Sequence, residues 1–334
     1  MNLLNWRVFS MALLLAIAAT MPTKAQDAQS MNEIQLGGAT AGRTGGGTLA
    51  GGMTQGLADG TGESGATAGP EAAAFDGTYI WVATQFSDSV TRIRVSDGMV
   101  AGTYAVGKRP VALLYAASGV WVANLLSNTV TKLNPATGAV VATYTVGDGP
   151  GGLAFDGTNI WVANRHSNNV TKLSPAGAVL GTYPVGKRPL GIAFAGKSIW
   201  VANNNSNSVT RLSLTGEALG TYAVGRGPFG VTGQGESVWI TNYFGKSVTK
   251  LRAIDGFDLG TFKVGDGASG IVFDGTNLWI VNNGDSTVVK VSPSSGSIVS
   301  TYATGKGPFA VAFDGNRIWV PNFGSNSVSM TAAN

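Results

Sequence analysis

The one histidine of this 334-residue chain, His166, stands beside Arg165 in DGTNIWVANRHSNNVTKL, residues 156–173. Imidazole titrates near neutral pH and serves as acid, base or metal ligand, so this pair is the first place to look for chemistry. The chain has no cysteine, which removes thiol nucleophiles, thiolate metal sites and disulfides together. A Ser-His-Asp arrangement needs a carboxylate against the imidazole. None adjoins His166 in sequence, and Asp148 or Asp266 could serve only if folding brought it near. A divalent metal in a central channel would need several converging carboxylates. The openings of the inner strands offer Glu71 alone. The reading therefore assigns no catalytic residue, no metal ligand and no cofactor.

Any such residues must be held by a repeat. Tryptophans occur at 81, 121, 161, 200, 239, 279 and 319, spaced 40, 40, 39, 39, 40 and 40 residues apart. Their surroundings repeat with them: IWVAT, VWVAN, IWVAN, IWVAN, VWITN, LWIVN and IWVPN. A period near 40 residues divided into four short strands predicts an all-β, seven-bladed β-propeller. In residues 189–227 the strands read PLGIAFAG, SIWVANN, SVTRLS and ALGTYAVG, each bounded by Gly, Asn or Ser. Asp-Gly pairs at 76, 156, 274 and 314 mark the hairpin between the first two strands. A position filled alike in every blade serves the fold. The tryptophans therefore pack between blades, the Asn that ends the second strand in six blades (Thr84 in the first) caps the following turn, and the third-strand Lys or Arg lays its stem over apolar neighbours.

The ends of the chain read differently. MNLLNWR followed by VFSMALLLAIAA and PTKA has the layout of a secretory signal over residues 1–25, too short to span a bilayer. Export would leave the protein periplasmic or secreted. Its loss removes Arg7 and Lys24, leaving 20 basic against 18 acidic residues, or +2. So small an excess argues against nucleic acid as a partner. Residues 26–69 are glycine-rich and read as a linker, and the propeller occupies 70–334. After Trp319 only a third strand remains, SNSVSMTAAN, so the last blade lacks its outer strand. An open edge needs covering, and a segment upstream of Pro70, within 50–69, is expected to supply it. The protein is read as a monomer.

In a propeller the loops from second to third strand share a face with the blade-to-blade turns. That face collects the variable residues: Phe86, Arg165, His166, Asn204, Asn205, Tyr243, Phe244 and Phe323. Its turns add Lys108, Arg109, Lys187, Arg188 and Arg226, opposed by Asp148 and Asp266. Variable loops on a rigid frame are where binding resides. The mix of Asn, Ser, aromatic and Arg suits a protein, peptide or glycan.

The pattern DGTNIWVAN…SNNVTKL…GTYxVGxxP resembles the bacterial YVTN and NHL-type propellers and, more distantly, the streptogramin B lyases, over residues 70–334. The lyase resemblance implies a histidine after the proline that opens an inner strand and a glutamate ending a second strand. Here those first positions hold Glu71, Val111, Gly151, Leu190, Phe229, Ser269 and Phe309, and the second strands end in Asn or Thr. The expectation is a secreted, non-enzymatic binding propeller. A lyase-like or lactonase-like enzyme at the same face is the alternative, and weak nucleic-acid binding a further one.

Overall fold

The computed structural model describes residues 28–36 and 69–334. Seven antiparallel sheets form a ring of blades. The first runs Pro70–Phe75, Tyr79–Thr84, Ser89–Arg94 and Val100–Ala105 from the centre outward. The next five repeat this order, beginning at Pro110, Pro150, Pro189, Pro228 and Ala268. The first strand of each blade lines the central channel. The seventh blade starts on the short inner strand Ala312–Phe313, continues through Arg317–Asn322 and Ser327–Ala332, and borrows its outer strand.

That outer strand is Asn32–Gln35, antiparallel to Ser327–Ala332 with Ile34 opposite Val328. The closing strand thus comes from farther upstream than the expected 50–69 window. Of that window only Gly69 is described, and residues 1–27 and 37–68 lie outside the described residues, as do the predicted leader and most of the linker. The reason is physical. The edge needs apolar side chains to cover the blade, and NEIQL offers them: Ile34 and Leu36 are buried between the seventh and first blades. Just before it, Gln29–Ser30 lies parallel against Ile298–Ala303 of the sixth blade. One short segment therefore spans two neighbouring blades.

The seven tryptophans are fully buried, each packed on apolar side chains of the next blade, as Trp81 is on Val120, Val122 and Leu133. Burying a side chain of this size stabilises by roughly 2–3 kcal/mol. The indole N–H also needs a partner. In four blades it donates to the Asp of the Asp-Gly hairpin at 2.7 Å, from Trp81 to Asp76, Trp161 to Asp156, Trp279 to Asp274 and Trp319 to Asp314. The same carboxylate accepts backbone N–H groups two and three residues on, which fixes the turn. The third-strand cation spans outward across its own indole, 5.0 Å away for Lys132, and donates to a carbonyl of the next blade: Lys132 to Pro175, Lys172 to Leu214, Lys250 to Pro293. It is a clamp between blades as well as a greasy stem. The repeated Asn does not cap the turn that follows it. Its amide donates to third-strand side chains, as Asn203 does to Ser208 and Thr210, while Asn203 Oδ1 accepts the Gly186 N–H of the blade-to-blade turn and Asn282 donates to the Val264 carbonyl.

Candidate binding site at the channel mouth

Each blade-to-blade turn places a left-handed residue just before the inner strand. Its carbonyl accepts the backbone N–H of the first loop residue after the second strand. Gln85, Leu125, Arg165, Asn204, Tyr243, Asn283 and Phe323 all donate in this way, at 2.8 to 3.1 Å. Loops and turns therefore do share one face, and this bond sets the first loop side chain at the channel mouth. The second loop side chain, Phe86, His166 or Phe244, instead sits against the turn glycine, Gly69, Gly149 or Gly227.

Two arcs of opposite character result. One is aromatic. Phe244 meets Tyr243 edge-on at 5.2 Å, Tyr243 lies 5.9 Å from Phe229, and Phe229 stacks on Phe309 at 6.2 Å. Phe309 meets Phe323 at 6.1 Å, and Phe323 reaches Phe86 at 5.3 Å. These six rings run without a break from the fifth blade to the first. Phe86 and Phe244 are exposed, by 57% and 60%, which is unusual for rings that pack so well inside cores.

The other arc is charged. Arg165 reaches into the channel, its guanidinium over Gly151, where an added Cβ would stand 2.8 Å from Nε and Nη2. Its Nε is enclosed and has no hydrogen-bond partner. In the same cavity Glu71 holds an enclosed, unpartnered Oε2. Burial pushes the Glu71 carboxyl up to about 7, against the opposing pull of Arg165 and then Arg109. Arg109, on the rim, donates Nε–H to Gln85 Oε1 at 2.7 Å. Arg188 is exposed on the far side of Arg165. The cavity between the arcs measures about 230 Å³, with walls of Ala, Gly, Val, Leu and Ile deeper down.

The remaining expected residues divide. His166 is exposed, and Asp148, distant in sequence, comes within 3.6 Å of its Nδ1. The acidic partner that sequence proximity did not supply is thus present, but on open surface at the outer rim. Asp266 instead pairs with Lys246 at 2.7 Å. Asn204 is buried and donates to the Pro228 carbonyl, while Asn205 is exposed. Lys108, Lys187 and Arg226 are exposed on the rim. Among the described residues no group of three or more His, Cys, Asp or Glu is placed to hold a metal ion. None of the helices found there is long and apolar enough to cross a membrane.

Sequence reasoning singled out the loop residues and left Glu71, Phe229 and Phe309 outside the site. All three follow the proline that opens the inner segment of a blade, a position held by Glu, Val, Gly, Leu, Phe, Ser and Phe in the seven blades. That variation was the available signal.

No family model matches the chain, and no curated protein matches it in sequence. Solved structures match its fold. Hydrazine synthase of Kuenenia stuttgartiensis aligns at TM-score 0.74 and 19% identity, covering 82% of this chain and 98% of that one. A streptogramin B lyase aligns at 0.71 and 17%, covering 81% and 95%. A catalytically inactive virginiamycin B lyase from Staphylococcus aureus with quinupristin aligns at 0.67 and 18%, covering 80% and 97%. At these identities the likeness is one of fold. The chain is a seven-bladed β-propeller, distantly similar to the streptogramin lyases.

Proposed function

We propose that the protein is a secreted binding scaffold of the YVTN/NHL repeat type, non-catalytic, that takes a peptide segment of its partner across the channel mouth. The continuous six-ring arc facing Arg109, Arg165 and Arg188 carries this reading. Aromatic and arginine side chains dominate binding energy where they can be desolvated together. A glycan fits less well, because polar groups that would meet sugar hydroxyls are already engaged. Asn204 and Asn283 donate to the Pro228 and Pro308 carbonyls, and Tyr243 Oη donates to Asn283 Oδ1.

A combined peptide and glycan array probed with residues 26–334 tests the reading. Saturable peptide binding is expected, weakened at least tenfold by the double variant Tyr243→Ala, Phe244→Ala. Binding that ignores the variant, or glycans bound in preference, would defeat it.

One observation favours a second reading, an enzyme of lyase or lactonase type. An enclosed carboxyl poised near neutrality suits a general base. Turnover of a cyclic depsipeptide or lactone that is abolished in Glu71→Gln would establish it.

A further inference from the structure

The left-handed residue before the inner strand is glycine in five turns, Gly69, Gly149, Gly227, Gly267 and Gly307, with φ between +60° and +71°. In the other two it is Arg109 at +56° and Arg188 at +54°. A side chain in this conformation crowds its own backbone, and each arginine also precedes a proline, which narrows its choices further. Strain of this kind persists where the side chain has a task. Both arginines flank Arg165. Burial lowers the Arg165 pKa, Glu71 works against that, and the charges of Arg188 and Arg109 add to it. Guanidinium groups stay ionised. Three of them thus act on one another with a single carboxyl nearby, and the innermost keeps an unused, enclosed donor. This arrangement is built to receive an anion.

The aromatic arc and the narrow apolar channel define what the anion is attached to. We infer that the mouth captures a peptide by its free C-terminal carboxylate, bound by Arg165 between Arg109 and Arg188, with an aromatic terminal side chain against Phe229 and Phe309. Glu71 Oε2, enclosed in the same cavity, accepts the N–H of the terminal residue. Planar two-point pairing of guanidinium with carboxylate gives such a site its selectivity. The inference rests on the binding reading above and specifies its ligand.

The test titrates residues 26–334 with three probes: a hexapeptide ending in Phe, the same peptide amidated at its C-terminus, and 3-phenylpropionate. The free acid peptide is expected to bind at least tenfold more tightly than the amide and the small acid. Arg165→Gln removes the preference for the free acid. Arg188→Gly weakens the free acid severalfold, leaves the amide unchanged, and keeps the thermal midpoint at or above that of the parent, because glycine relieves the left-handed strain. Equal binding of acid and amide, with both weakened by Tyr243→Ala, Phe244→Ala, overturns the carboxylate site while the binding face survives. Equal binding of 3-phenylpropionate and the peptide overturns the peptide as ligand. Absence of binding by all three overturns the inference.

Discussion

Glu71 and Asp156 are both carboxylates at the edge of an inner strand, and their surroundings push them in opposite directions. Glu71 faces an apolar channel with an unpartnered oxygen, and burial lifts it to about 7. Burial would lift Asp156 as well, but hydrogen bonds from the Trp161 indole and the amides of Asn159 and Thr158, with the charge of Lys172, pull it below the usual range. A carboxyl raised from 4.5 to about 7 binds a proton on folding, so its contribution is complete below pH 4.5 and is lost as pH rises through 7. Glu71→Gln should abolish that slope. Chemical denaturation from pH 4 to 8 should show the parent losing up to about 3 kcal/mol relative to the variant, most of it between pH 4.5 and 7. Parallel curves would mean that the Glu71 carboxyl titrates alike in the folded and unfolded chain.

The first hairpin of each blade is the element on which the fold's regularity can be measured. Four blades give the indole N–H a carboxylate, and the second and fourth give it the carbonyl of Ala116 or Ala195. In the fifth, Trp239 Nε1 is buried with no partner. Leaving a buried donor unpaired costs roughly 1–3 kcal/mol. Asp156→Ala should therefore lower unfolding free energy by about that amount, and Gln234→Asp, at the matching position of the fifth blade, should raise the thermal midpoint. Calorimetry of the two variants measures both. This hairpin was legible in the sequence, because a turn, a strand and a tryptophan recur at fixed spacing and each copy solves the same packing problem. The channel mouth was legible only in half. Arg165, Tyr243 and Phe323 stand out against the loop template, whereas Glu71, Phe229 and Phe309 belong to another connection. They join the loop residues through ring curvature, which no local pattern encodes. The closing strand falls outside the expected 50–69 window because the edge selects for two apolar side chains at alternate positions, Ile34 and Leu36, which that glycine-rich window does not provide.

At the scale of the whole molecule, seven near-equal blades make a ring whose stability depends on its weakest junction. The seventh inner strand is two residues long, and the seventh outer strand is held by Ile34 and Leu36, by Leu36 N–H to the Asn326 carbonyl, and by Ser327 to Glu33. Ile34→Ala should cost about 2–4 kcal/mol. In hydrogen exchange, loss of protection is expected to concentrate in Ser327–Ala332 and spare the third blade. Uniform loss around the ring would show that the blades unfold as one. The same junction also imposes an order in time. Asn32–Gln35 leaves the ribosome before any blade exists, yet its partner Ser327–Ala332 belongs to the seventh blade. Six blades can stack as they emerge, while the segment that will seal them must stay unpaired until the seventh is made. A nascent chain that has not yet reached Ser327–Ala332 is therefore an open arc with a bare edge, and synthesis of that strand is what makes the circle possible.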